Sequence, residues 1–277
     1  MSKRSGKLRH QRRTRSGTRP DEEPTRIPEL DLFRGLAIVL MVIDHVAWVF
    51  GQPIEPWSIR GVTRLAMPWF CWIMGYLLAD RDAAERWWWR GSGEASAAGG
   101  RPANWQRWWQ LVGAAVVVNV FYFPITGQLE ILASLALTWL LWAVLRNGLV
   151  WGSVAFLLYR WDPTAGAWGR AWLDYPLSLV LPCVAQGMIW RLLGGRFAVA
   201  ISAMTALGLL VADAGGWSLI ARPSLYVLVA APIAGACVVW ARRGLPWRLA
   251  WLEWLGKRPL RAYVCQYALV LLLRQLV

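Results

Sequence analysis

Along this chain the apolar residues fall in blocks of roughly 13–20, broken by short polar segments, with no period-2 alternation. A helix needs about 20 apolar residues to cross the ~30 Å hydrocarbon layer, so blocks of this kind predict membrane-spanning helices. The pattern places spans at Leu32–Phe50, Gly61–Ala79, Trp108–Pro124, Leu129–Leu145, Leu149–Tyr159, Pro176–Leu193, Phe197–Ala212, Pro223–Ala241 and Leu260–Val277. Leu, Ala, Val and Trp dominate these blocks, which excludes barrel strands, because in lipid only helices and closed barrels satisfy every backbone polar group. The expected fold is all-α, a polytopic helical bundle of nine spans. Residues 1–28 are expected to be a disordered basic tail, and 29–277 a single transmembrane domain.

Composition agrees with that pattern. The 277 residues are 57% hydrophobic and include 22 Trp, with a mean hydropathy of +0.37, whereas a soluble domain is about 45–50% apolar. The net charge of +14 would suit a nucleic-acid binder, but its distribution points elsewhere. With the N-terminus in the cytoplasm and nine alternating helices, twenty-four of the thirty Lys and Arg residues fall on the tail side. That asymmetry is the positive-inside pattern of a multi-pass protein of the cytoplasmic membrane. Omitting the short fifth span would reverse every later loop and spoil it.

The first 26 residues are Arg-rich and lack an apolar stretch, so they are not a cleavable signal peptide. The Asp80–Arg107 segment, with its GSGEASAAGG run, reads as a flexible cytoplasmic connector. The Trp groups at 87–89 and at 105, 108 and 109 flank it as interfacial anchors. Cys71, Cys183, Cys237 and Cys265 lie in apolar blocks without CxxC spacing and are expected to be small buried side chains. No phosphate loop, dinucleotide glycine pattern, GxSxG elbow or HExxH occurs, so ATP, dinucleotide, serine-hydrolase and zinc-protease chemistries lack a motif.

Chemistry concentrates in the first span, LDLFRGLAIVLMVIDHVAWVF. An ionisable group at the centre of a membrane helix costs about 2.5–3.5 kcal/mol on insertion, so three of them point to function. Arg34 and His45 are eleven positions apart, which puts them within about 20° on one helix face and about 16 Å apart in depth. Arg34 at the cytoplasmic mouth suits a phosphate-bearing donor, and an imidazole deeper in suits proton transfer near neutral pH. His45 is the only histidine outside the tail, His10 being the other, and no cluster joins it to make a metal site. Asp44 needs a cationic partner, and Arg64 on the antiparallel second span is expected to supply it. Asn119, Glu130 and Gln266 read as interhelical hydrogen-bond partners. Pro68 and Pro124 are expected to kink or end their helices.

These residues resemble a known family. RIPELDLFRGLAIVLMVIDH is similar to the first helix of the transmembrane acyltransferase superfamily, in which Arg or Lys, ten intervening residues and His recur, here Arg34 and His45. TRLAMPWFCWIMGYLLA resembles the second helix of its TraX branch of pilin N-acetyltransferases, at Arg64, Ala66, Pro68, Phe70, Gly75 and Tyr76, with Thr63 in place of a Gly. LDLFRGLAIVLM looks equally like the heparan-α-glucosaminide N-acetyltransferase branch, and WLGKRPLRAYVCQY resembles the superfamily's last helix at Gly256, Lys257, Tyr263 and Gln266. The resemblance implies an O- or N-acyltransferase that takes acyl-CoA, acetyl-CoA foremost, from the cytoplasm. The acceptor would be an amine or hydroxyl of a glycan, lipid-linked sugar or peptide. Arg34 would then hold the donor, and His45, with Asp44 beside it, would act as general base or accept the acyl group itself. The competing reading is a proton-coupled permease using Asp44 and His45 as a relay, which has no need of Arg34 in register.

Overall fold

A computed structural model describes residues 27–53, 58–79, 105–145, 172–193, 200, 204, 235 and 249–276. Among them the chain is all-helical, with one isolated β-bridge. The helices are α1 (Pro28–Val49), α2 (Ile59–Thr63), α3 (Ala66–Leu78), α4 (Trp105–Thr126), α5 (Ile131–Leu145), α6 (Leu177–Leu193), α7 (Ala250–Lys257) and α8 (Pro259–Leu276). The spans expected at Leu149–Tyr159, Phe197–Ala212 and Pro223–Ala241 lie outside the described residues, as do the tail and most of the connector. Two of the described helices, α1 and α4, are long and apolar enough to cross a membrane, and α5 and α6 are shorter apolar helices.

Local chemistry explains the boundaries. Proline at the start of α1, where an orphan N–H would otherwise be wasted, and Glu29 and Asp31 in its first turn favour a helix beginning there. The span expected at Gly61–Ala79 is divided in two. Pro68 has no N–H to donate backwards, and the chain turns at Arg64–Leu65 before α3 begins at Ala66. Pro124 does not end α4, which runs two residues further, to Thr126. Gly127, at φ 71°, then supplies the left-handed residue that closes the helix, donating its N–H to the Phe123 carbonyl at 2.8 Å.

The core joins α1, α3, α4, α6 and α8 around Trp72, Leu30, Ile38, Leu181, Val118, Val184 and Val270, all almost fully buried. Glycines permit the closest approaches. A Cβ on Gly75 or Gly187 would overlap the backbone of the other helix, so α3 and α6 touch main chain to main chain; Gly35 and Gly256 do the same for α1 and α7. Such contacts maximise dispersion where lipid gives helices no hydrophobic reason to associate.

Helix directions give the bundle two ends. α7 runs antiparallel to the start of α1, and α8 then climbs beside it, reaching His45 with Tyr267 and Trp48 with Arg274. α4 and α5 are antiparallel, joined by Trp108 and Ala136 near one end and by Asn119 and Glu130 near the other. Leu129 and Leu173 pair backbones, so α5 and α6 start at the same end and run in the same sense. Cys71 and Cys183 are buried as expected, but Cys265 is exposed on the outer side of α8. Trp105 and Trp109 are largely exposed, whereas Trp108 packs onto Trp139 and donates to the Ala136 carbonyl.

Candidate active site

One cavity of about 1730 Å³ runs through this arrangement, lined by Arg34 towards one end and by His45 towards the other. The two residues on one face of α1 thus open into the same space.

At the Arg34 end, Nη1 of Arg34 donates to Asp31 Oδ1 at 2.9 Å, a pairing made by i, i+3 spacing on α1, and to the Gly256 carbonyl at 3.4 Å. The glycine contact between α1 and α7 brings that carbonyl within reach. Lys257, Arg258 and Arg261 follow at the α7–α8 junction, and Arg107 of α4 and Arg191 of α6 complete the basic lining. Arg191 donates to the Tyr76 hydroxyl at 3.3 Å and lies 5.1 Å over its ring. Among the described residues that line this end, Asp31 is the only carboxylate.

The His45 end is built differently. Asp44, buried, accepts from the Thr63 hydroxyl at 3.1 Å and lies 3.5 Å from Nε of Arg60. The expected Asp44–Arg64 ion pair is therefore replaced by Asp44–Arg60. The reason is the break at Pro68: Arg60 and Thr63 share the face of α2 turned to Asp44, while Arg64 caps that helix. There Arg64 lies 5.7 Å over the Tyr175 ring, in the field of Asp174. Burial pushes the Asp174 carboxyl above the usual carboxylate range, opposed by Arg64 and by the Tyr122 hydroxyl that hydrogen-bonds to it.

His45 meets Tyr267, whose hydroxyl is 3.3 Å from Nε2, while Nδ1 is buried with no hydrogen-bond partner. Tyr122, Tyr263 and Tyr267 form an aromatic group beside it, with ring centroids 6.1 Å and 5.5 Å from that of Tyr267. Tyr263 lines the cavity, its buried hydroxyl without a partner. Gln266 is buried, does not line the cavity, and has both amide atoms unpartnered. Asn119 accepts the Glu130 N–H at 2.8 Å through Oδ1 and donates to the Ala115 carbonyl at 2.8 Å. Glu130 in turn accepts the Leu132 N–H at 2.9 Å, capping α5. With the Leu129–Leu173 bridge and the Ser134 hydroxyl donating to the Tyr175 carbonyl at 2.6 Å, these bonds fix the wall that carries Asp174 and Tyr175.

Residues 27–127 match the family model described as an acyltransferase domain. The segment that builds α1 to α4 is thus similar to the acyltransferase 3 family over about a third of the chain. The curated proteins and the solved structures give no match. The match points to acyltransferase chemistry, and the apolar helices fit a membrane setting. The matched segment contains Arg34, Asp44, His45, Arg60 and Arg64, so both ends of the cavity begin within the acyltransferase domain. Tyr267, Tyr175 and the Lys257–Arg261 cluster are added by the rest of the chain. Sequence reasoning passed over Asp31, Arg60, Asp174 and Tyr267. Two of these carried a signal: Asp31 precedes Arg34 by three residues, and Tyr267 follows Tyr263 by four, each one helical turn away on the same face.

Proposed function

We propose that this protein transfers an acyl group, acetyl in the simplest case, from acyl-CoA held at the Arg34 end to an amine or hydroxyl acceptor at the His45 end. The observation that carries the reading is the single cavity reaching from a basic cluster to an imidazole. Arg34, Lys257, Arg258, Arg261, Arg107 and Arg191 offer the multiple cationic donors that a phosphate-rich nucleotide needs. The pantetheine arm, long and thin, would extend along the cavity and present its thioester to His45. As the acceptor oxygen or nitrogen attacks the thioester carbonyl, His45 takes its proton; the C–S bond then breaks, and the departing thiolate receives that proton.

An acceptor from the glycan, lipid-linked sugar or peptide classes fits the polar lining of Asp174, Tyr175 and Tyr263. A proton-relay permease finds less support, because Asp44 is already engaged by Thr63 and Arg60.

The test is incubation of membranes or purified protein with radiolabelled acetyl-CoA, comparing wild type with His45→Ala. Label transfer or CoA release is expected in wild type, and a fall of about 10²–10⁴-fold in the variant, the range of general acid–base catalysis. If neither protein transfers label or releases CoA, the acyltransferase reading is wrong.

A further inference from the structure

Two arginines stand at the His45 end, and the structure pairs one of them. Arg60 has the Asp44 carboxylate 3.5 Å from its Nε, and the Thr63 hydroxyl donates to the same carboxylate oxygen at 3.1 Å. The side chain of Arg64 makes no hydrogen bond and no ion pair among the described residues. Its Nε is sealed off without a partner; the two terminal nitrogens are not sealed, and with them Arg64 lines the cavity.

A ring and a field hold this side chain. The guanidinium lies 5.7 Å over the Tyr175 ring, and Asp174 acts on it from beyond ion-pair distance. A ring contact of this kind leaves the N–H groups without oxygen acceptors. The neighbouring carboxylates do not supply them: Asp44 is engaged by Arg60 and Thr63, and Glu130 accepts the Leu132 N–H at the start of α5. Arginine cannot shed its proton to escape burial, and an unpaired guanidinium inside a bundle is costly. The space in front of it is cavity, so the missing acceptors can arrive with a ligand.

We infer that Arg64 is a specificity-determining residue that binds a negatively charged group of the acceptor, a carboxylate or a phosphate. Its planar fork offers two parallel N–H donors to two oxygens of one such group. The contact with Tyr175 turns Arg64 from α1 towards the wall between α5 and α6. It is thereby set apart from the Arg34 cluster that would hold the donor's phosphates, and from Arg60 and Thr63, which serve Asp44 beside His45. The inference rests on the proposed transfer in naming the ligand an acceptor; the anion site stands without it.

The probes are three pyranoses that differ in charge: glucose, glucuronate and glucose 6-phosphate. Each is titrated into the full-length protein in phosphatidylcholine nanodiscs, with dissociation constants read by saturation-transfer NMR. At least one anionic sugar should bind wild type about 10–150-fold more tightly than glucose, the worth of charged hydrogen bonds. A lead for glucuronate selects the carboxylate, and one for glucose 6-phosphate the phosphate. The preference should vanish in Arg64→Gln and persist in Arg34→Ala. Arg64→Met, which keeps an apolar stem against Tyr175, takes the place of Arg64→Gln if that variant does not fold. A wild-type protein that binds neither anion better than glucose overturns the inference with no variant needed. So does a preference that survives the loss of the Arg64 charge, or one that Arg34→Ala removes. An Arg64-dependent preference in a protein that never consumes acetyl-CoA keeps the anion site and rejects the transfer. Acetyl transfer to all three sugars without preference does the reverse.

Discussion

The two ends of the cavity use charge in opposite ways. At the Arg34 end, six cations line the cavity with one carboxylate among the described residues, Asp31, which bonds Arg34. At the His45 end, Arg60 is paired with Asp44, and Arg64 faces the buried carboxyl of Asp174, with tyrosines between them. An excess of cations creates a field for a polyanion and does not depend on fine placement. A balanced, buried set holds groups in fixed positions and protonation states, as proton transfer demands. The contrast assigns recognition to one end and chemistry to the other, and each claim can be broken separately.

The largest separation is expected from Arg34→Ala. Losing charged hydrogen bonds to a phosphate, worth about 1.5–3 kcal/mol in total, should raise the donor KM about 10–150-fold. Acceptor KM should stay as it is. A matching fall in kcat with unchanged donor KM would place Arg34 in the chemistry and erase the distinction between the ends.

Next comes Gly256→Ala, which adds a Cβ where the Asp31 carbonyl and the Gly35 N–H already sit. Main chain cannot step aside as a side chain does, so α7 must separate from α1, at about 1–3 kcal/mol for overpacking of this kind. The shift carries Lys257 and Arg258 with it. Thermal stability and donor affinity should fall together, while the acceptor KM remains that of the parent. A variant with unchanged stability would show that α7 does not rest on α1.

The Asp44–Arg60 pair sharpens the His45 end. A double-mutant cycle with Asp44→Asn and Arg60→Ala, scored by thermal unfolding in one detergent, should give a coupling of about 0.5–3 kcal/mol, as neighbouring charges do. The parallel cycle with Arg64→Ala should give a smaller one. If Arg64 couples more strongly, the pairing expected from sequence was right and the geometry at α2 is wrong.

Why that partner was misread shows where the sequence stops being legible. Arg34 and His45 could be read because both lie on one unbroken helix, where spacing alone fixes face and depth. Arg64 falls opposite Asp44 only if one straight helix runs from Gly61 to Ala79. Pro68 is visible in the sequence, but the turn it forces at Arg64–Leu65 shifts every position before it. Tyr267 and Asp174 were harder to find: one is an aromatic in an apolar helix, the other a loop carboxylate. Only the return of α8 beside α1 and the Leu129–Leu173 backbone pairing bring them to the site. Their roles depend on contacts between helices, and no periodicity within one helix encodes those.

The smallest expected effect concerns Asp174, which tests whether burial outweighs the field of Arg64 at the far wall. Its carboxyl is held above the usual range because burial outweighs Arg64 and Tyr122. The folded protein therefore keeps a proton that the unfolded chain loses near pH 4, so stability falls as pH rises from about 4 through the folded-state pKa. Asp174→Asn, which stays neutral at every pH, should remove that slope from a plot of melting temperature between pH 4 and 7. The variant should be indistinguishable from wild type at the acid end, where both side chains are uncharged. A variant that instead loses stability increasingly as pH rises would mean that Asp174 is better stabilised as an anion by Arg64 than burial penalises it. The His45 end would then be held together by an Arg64–Asp174 ion pair rather than by a wall of neutral, hydrogen-bonded groups.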